Sequence, residues 1–354
     1  MTTRTRPPLR AMGAAATVAV ALSLFAVPSA AVADTAPVPS STESVQSEEF
    51  AAAGVTRIGG ADRYAVSAGV AASEFTTSPL VFVASGEGYA DALSASAVAG
   101  AQKAPVLLVS RSGISDLVAA QLTKLNPDVI VVVGGTASVS SDVEKALGDF
   151  ADDVERVVGD TRYEVSARLS EQTLWPKNPV AYIASGQVFP DALSGSAAAG
   201  QLGGPVLLVQ KDAIPGAIGL ELARLAPSKL IVLGGENTIS DTVLTQLRGI
   251  VRDTTRVGGA DRYAVSAATS LSAFPVGAKT VFVASGSVFP DALSGSAAAI
   301  KAHGPVLLVT ADSVPGLVGL ELDRLNPTRI VVLGGDRTVS ESVRAQLAGY
   351  IVPS

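Results

Sequence analysis

Thr56-Arg57-Ile58-Gly59-Gly60-Ala61-Asp62-Arg63-Tyr64 returns as Glu155-Arg156-Val157-Val158-Gly159-Asp160-Thr161-Arg162-Tyr163 and again as Thr255-Arg256-Val257-Gly258-Gly259-Ala260-Asp261-Arg262-Tyr263. Three copies of one unit therefore fill the chain from about Val55 onward. Repetition on this scale means that neighbouring units bury faces none can bury alone, and that one surface feature is presented several times. A set of repeated weak sites suits a polymeric ligand.

Within a copy, strand and helix signals alternate. In the first, Val55–Ile58 reads as a strand, Asp62 to about Phe75 as a helix, Leu80–Ser85 as a strand and Asp91–Gln102 as a helix. Pro105–Ser110, Ser115–Leu125, Val129–Val133 and Ser141–Ala146 continue the alternation. Runs such as Val129-Ile130-Val131-Val132-Val133 are apolar without alternation, which marks strands buried on both faces of a parallel sheet. The expected fold class is α/β, built of tandem parallel-sheet modules of about one hundred residues. Composition agrees: charged residues are 16% of the chain and aromatics 5%, so Ala, Val, Leu and Ile must make the core. With 354 residues there is material for two or three such cores.

Residues 1–33 carry Arg4, Arg6 and Arg10 ahead of an apolar run from Met12 to Val27, and end in Ala31-Val32-Ala33. They read as a secretory signal peptide, the run being shorter than the ~20 apolar residues that cross a bilayer. Residues 34–54, rich in Ser, Pro, Thr and Glu, read as a flexible leader. The three repeats are expected at 55–153, 154–253 and 254–354, with no room for an effector domain beside them. The chain has no cysteine, so neither a lipid-modified cysteine nor a disulfide is expected. Nothing near Tyr350-Ile351-Val352-Pro353-Ser354 reads as a sorting signal or hydrophobic tail, so attachment to a cell would be non-covalent.

Two features carry candidate chemistry. Gly134-Gly135, Gly234-Gly235 and Gly334-Gly335 close the last strand of each copy ahead of Ser140, Ser240 and Ser340. They read as turns needing positive φ before a capped helix, or alternatively as backbone cradles for an anion at the strands' carboxyl edge. The opening motif offers more. Arg63, Arg162 and Arg262 sit in the first turn of a helix, behind the capping residues Asp62, Thr161 and Asp261, and Arg57, Arg156 and Arg256 precede them by six residues. Guanidinium and backbone N–H groups together suit a phosphate or carboxylate. Equally, Arg63, Arg162 and Arg262 suit structural ion pairs with the recurring Asp91, Asp191 and Asp291.

Those aspartates lie in Phe189-Pro190-Asp191-Ala192-Leu193-Ser194-Gly195 and its near copy from Phe289, with Tyr89-Ala90-Asp91-Ala92-Leu93-Ser94-Ala95 a looser version. A serine nucleophile needs a base, yet the single histidine, His303, aligns with Lys103 and Gly203. The block reads more simply as helix capping and close packing. Metal sites of the N/S kind lack ligands. A paired-carboxylate glycosidase is compatible with the spacing, but three similar units bearing one acid each resemble a repeated contact more than one asymmetric active site. No catalytic residue, metal or cofactor is expected. Tyr64, Tyr163 and Tyr263, or Tyr89, Phe189 and Phe289, could stack on sugars, but an aromatic at a helix start is more often part of the core.

Together the R-[IV]-x-G-x-x-R-[YF] openings, the Phe-Pro-Asp-Ala-Leu-Ser blocks, the Pro-Val-Leu-Leu-Val strands and the paired-glycine ends resemble the cell-wall-binding repeat 2 family of Gram-positive surface proteins, over essentially all of Val55 to Val352. The resemblance implies three modules packed about a pseudo-threefold axis and non-covalent attachment to anionic secondary wall polymers of the teichoic-acid type. It also ties the runs beginning at Pro105, Pro205 and Pro305 to that attachment. Expected polymer contacts are Arg57, Arg63, Arg156, Arg162, Arg256, Arg262, Asp91, Asp191 and Asp291. An anionic cell-wall polymer is the expected partner, with peptidoglycan or other surface proteins as further candidates. Nucleic acid is not expected, nor is membrane once the signal segment is removed. The expected location is secreted, at the wall surface. Two other classes stay open: a hydrolase acting on peptidoglycan or glycans, and a self-assembling surface coat. Copy two departs from the motif at Val158 and Thr161. Without the three arginines of the signal segment, 23 basic residues face 32 acidic ones, a formal net charge of −9. Bulk attraction to a polyanion is thereby ruled out, and local arginine sites must do the recognition.

Overall fold

The computed structural model describes residues 54–352 except Trp175. The expected signal segment, and all of the expected leader but Gly54, lie outside the described residues. Following the opening strand β1 (Val55–Ile58) and helix α1 (Arg63–Glu74), the first repeat continues through β2 (Leu80–Ser85), α2 (Ala90–Ala101), β3 (Val106–Val109), α3 (Asp116–Leu125), β4 (Val129–Val133) and α4 (Ser141–Leu147). The second comprises β5 (Asp153–Val157), α5 (Arg162–Thr173), β6 (Val180–Ser185), α6 (Pro190–Gln201), β7 (Val206–Val209), α7 (Gly216–Leu225), β8 (Lys229–Leu233) and α8 (Asp241–Ile250). The third comprises β9 (Thr254–Val257), α9 (Arg262–Ala273), β10 (Thr280–Ser285), α10 (Pro290–Lys301), β11 (Val306–Val309), α11 (Gly316–Leu325), β12 (Arg329–Leu333) and α12 (Glu341–Ala348).

Among the described residues the strands form three four-stranded parallel sheets, ordered β3-β2-β4-β5, β7-β6-β8-β9 and β11-β10-β12-β1. Sequence repeat and sheet are thus out of phase by one strand. The opening strand of each repeat lies beside the last strand of the repeat before it, Arg156 against Val132 and Arg256 against Val232. A strand joined to its predecessor by one crossover helix pairs with that predecessor most readily, and α4 and α8 are such crossovers. The first strand has no predecessor. It pairs instead with β12, Val55 to Ile330 and Ile58 to Leu333, so the first and third repeats are joined through a shared sheet.

α2, α6 and α10 line the middle of this ring. They are built of Ala, Ser and Gly and buried nearly all round, as expected for helices packed on several sides. Ser96 Oγ donates to the Leu293 carbonyl at 2.7 Å, Ser196 Oγ to Leu93 at 3.1 Å and Ser296 Oγ to Leu193 at 3.4 Å, a cyclic set of hydrogen bonds linking all three. Small side chains permit that approach. Ile300 sits against Gly100 and Gly200, and a Cβ on either glycine would overlap its side chain. The Pro-Val-Leu-Leu strands β3, β7 and β11 are buried along their whole length, so their role is to carry the neighbouring loops.

Candidate functional site

The opening arginines divide by position into two sets. Arg57, Arg156 and Arg256 act as clamps under the paired glycines. Arg57 Nη1 donates to the Gly334 carbonyl at 2.8 Å and Nη2 to Val339 at 2.7 Å, and the side chain pairs with Glu341. Arg156 repeats this on Gly134 and Glu144, and Arg256 on Gly234, Ile239 and Asp241. Each clamp reaches the preceding repeat because its strand lies in that repeat's sheet. Burial pulls the Arg57 guanidinium below its ordinary pKa, opposed by Glu341.

Arg63, Arg162 and Arg262 stand at helix starts, where Asp62, Thr161 and Asp261 cap as expected. The Asp62 carboxylate accepts from the N–H groups of Tyr64 and Ala65, and Asp261 from Tyr263 and Ala264. These helix N-termini are therefore already occupied by their own caps, leaving the guanidinium as the available cation. Each guanidinium donates to a backbone carbonyl: Arg63 to Gly86, Arg162 to Gly186 at 2.7 Å and Arg262 to Gly286 at 2.5 Å.

The aspartate each arginine faces belongs to the preceding repeat. Arg63 shares a cleft with Asp291, Arg162 with Asp91 and Arg262 with Asp191. The pairing expected within a copy, Arg63 with Asp91 and its equivalents, is corrected by the ring arrangement, in which the start of α1, α5 or α9 abuts the preceding sheet. Among the described residues, none of these three arginines forms a direct ion pair. Burial raises the Asp91 carboxyl above its ordinary value, partly offset by a hydrogen bond from Ser138 at 3.3 Å and by Arg162. Asp191 behaves alike, with Thr238 at 3.4 Å and Arg262. Burial likewise raises Asp291, with Arg63 opposing.

The paired glycines complete the floor. Gly134, Gly234 and Gly334 have φ of 109°, 90° and 100°, in the region that favours glycine, so the turn reading of these pairs holds for the first residue of each. A Cβ on any of them would also overlap the Oδ2 atom of Asp91, Asp191 or Asp291. Gly135, Gly235 and Gly335 line the clefts.

Three clefts result, of about 300 Å³ between repeats 1 and 2, about 640 Å³ between 2 and 3, and about 760 Å³ between 3 and 1. They meet at an aromatic triad whose ring centroids are 5.4 to 6.0 Å apart, formed by Tyr89, Phe189 and Phe289. This triad was legible only as a choice between stacking surface and core. Its rings pack on one another, and Tyr89 and Phe189 each line two clefts.

Among the described residues, the serines of the Pro-Asp-Ala-Leu-Ser blocks have no histidine beside them. Ser194 and Ser294 are buried, and their hydroxyls donate to the carbonyls of Asp191 and Asp291. His303 has φ 54° just beyond the far end of α10, a helix roughly 18 Å long by its twelve residues. It contacts Gln201, away from the clefts.

Comparison with known proteins agrees with this architecture. Residues 57–144, 156–244 and 256–344 match Cell wall binding domain 2 (CWB2), and the chain belongs to that family. It is 30% identical over 259 residues to an amidase enhancer of Bacillus subtilis (strain 168), covering 73% of this chain and 35% of the relative. It is 26% identical over 298 residues to the N-acetylmuramoyl-L-alanine amidase LytC of the same organism, covering 84% of this chain and 59% of the relative. The chain therefore spans only part of the length of either. Among solved structures it resembles Cwp6 from Clostridium difficile with a TM-score of 0.79 at 25% identity, over 84% of this chain and 48% of that one. Cwp8 from the same organism shares the fold with a TM-score of 0.76 at 23% identity, over 84% and 52%. Family and fold together support association with the cell wall.

Proposed function

We propose that this chain is a secreted, non-catalytic wall-binding protein that attaches non-covalently to an anionic secondary polymer of the teichoic-acid type through its inter-repeat clefts. The observation that carries the reading is the threefold recurrence of one cleft, each with a guanidinium outside any direct ion pair facing a carboxylate across a glycine turn. The guanidinium suits the polymer's phosphate, and the carboxylate with its neighbouring hydroxyl suits sugar or polyol hydroxyls. Arg57, Arg156 and Arg256 contribute by holding the turns that floor the clefts. Separate weak contacts along one polymer raise avidity by ~10²–10⁴ when geometry permits them together, which offsets the net negative charge of the body.

Wall attachment is supported by the cell wall binding family that all three repeats match, whereas the amidase activity in the second relative's name is not carried over. A cation and a carboxylate placed alike three times over do not assemble one nucleophile with one base. Retention on purified Gram-positive walls, before and after the anionic polymer is extracted with acid, tests the reading. Binding should be lost on the stripped walls. Undiminished retention there defeats it, and clearing of a wall-embedded gel defeats the non-catalytic part.

A further inference from the structure

The three clefts share one plan but differ in volume, and one hydroxyl distinguishes the smallest. Tyr89 stands where the other repeats carry Phe189 and Phe289. Its Oη accepts from Arg162 Nη1 at 3.0 Å and donates to the Gly186 carbonyl at 2.9 Å. The Arg162 guanidinium also lies over the Tyr89 ring, 5.4 Å from its centroid. This arginine is held on three sides by its own protein. Arg63 meets only the ring face of Phe289, at 5.8 Å, besides its carbonyl partner.

Space follows the same order. The cleft between repeats 1 and 2 has less than half the volume of either other. At the position after the glycine pair where the third repeat brings Arg337 to its cleft, the second brings Asn237 and the first Ala137. Acids offset this difference: Asp62 and Asp336 also line the largest cleft, Asp261 the second and Asp160 the smallest. An incoming phosphate there would have to displace the tyrosine hydroxyl and enter a tighter space.

We infer that the polymer is gripped at two clefts, those of Arg63 and Arg262, and that Tyr89 closes the third by occupying Arg162. The inference rests on the reading of the clefts as polymer sites. Tyr89 is thus the residue that sets the number of contacts at two.

The test is the affinity of the full chain for purified Gram-positive walls, measured for Arg63→Met, Arg162→Met, Arg262→Met and Tyr89→Phe, with thermal unfolding followed for each. Removing Arg63 or Arg262 leaves a single grip and should weaken binding by about tenfold or more, while Arg162→Met should stay within roughly twofold of the parent. Tyr89→Phe should tighten binding, and adding Arg162→Met to it should cancel the gain. Arg162 makes the most contacts with its own protein, so a merely structural loss would be largest for Arg162→Met, the reverse of the order expected here. A loss for Arg162→Met as large as for Arg63→Met overturns the inference, as does unchanged affinity for Tyr89→Phe. If none of the three arginine variants alters affinity, the cleft reading itself fails. Tyr89→Phe removes a single oxygen and carries the test should an arginine variant unfold.

Discussion

Asp91, Asp191 and Asp291 show how one residue type serves the fold and its surface at once. Each carboxyl is pushed above its ordinary value of 3.8 by burial, with an arginine of the next repeat pulling back. A carboxyl whose folded pKa exceeds its unfolded one binds more protons when folded, so its contribution to stability is greatest below the unfolded value and is lost as pH rises through the folded one. In their ionised form these groups weaken the ring, because burial opposes the charge. Replacing all three by Asn should therefore stabilise the protein relative to the parent as pH rises from about 3 through the carboxylate range. Thermal unfolding of both across that range is the check. A difference that shrinks with rising pH would show that the arginines outweigh burial.

At the scale of elements, packing between α6 and β8 and between α10 and β12 is matched to size within the chain itself. Gly195 and Gly295 lie where a Cβ would overlap Leu233 and Leu333, whereas the first repeat carries Ala95 with the smaller Val133. Gly195→Ala should gain helix propensity of up to ~1 kcal/mol but lose about 1–3 kcal/mol to overpacking, a net loss. Adding Leu233→Val should restore stability to that of the parent or above, and a chemical-denaturation double-mutant cycle measures the coupling. Additive effects would mean that the helix shifts freely. The elements themselves were largely legible, because apolar runs of four to six residues, capping Ser and Asp, and glycine pairs mark their ends. Their partnership was not. Periodicity fixes the spacing of a repeat but not its phase, so nothing in Asp153–Val157 states that it pairs with β4 rather than with its own copy. The arginine and aspartate of each cleft were visible as recurring residues, yet were matched within a copy for the same reason. The Tyr89 hydroxyl was hidden because its partners, Arg162 and Gly186, lie in another repeat.

Over the whole molecule, β1 makes a three-member row into a ring. It supplies the fourth strand of the third sheet, and Arg57 clamps it to Gly334, Val339 and Glu341. The largest of the three inter-repeat clefts, lined by Arg63 and Asp291, exists only because that closure brings the two repeats together. The strand sits where the opening strand of a fourth repeat would lie. Gly54 accepts from Ile330 N–H at 2.9 Å, and a Cβ on it would be 3.3 Å from Ile351 Cγ2, so the chain near Gly54 touches the segment that leaves α12. Joining Val352 directly to Gly54 would leave five residues between α12 and β1, namely Gly349 to Val352 and Gly54, as many as 148–152 provide between α4 and β5. A circular permutant of the described body, opened between Gly148 and Asp149 and joined this way, should fold to the same ring. Its unfolding midpoint should fall within roughly 5 °C of the parent, since exposed connections tolerate new termini and loop-length terms are small. It should also bind walls as the parent does. A chain beginning at Gly59 lacks β1, exposes the edge of β12 and loses the Arg57 clamp, so it should lose wall affinity and the cooperativity of unfolding together. If that truncation instead melts and binds like the parent, the ring is held by its central helices alone and the strand is dispensable. A permutant that fails to fold would show that the covalent order of the repeats, and not their closure, specifies the ring.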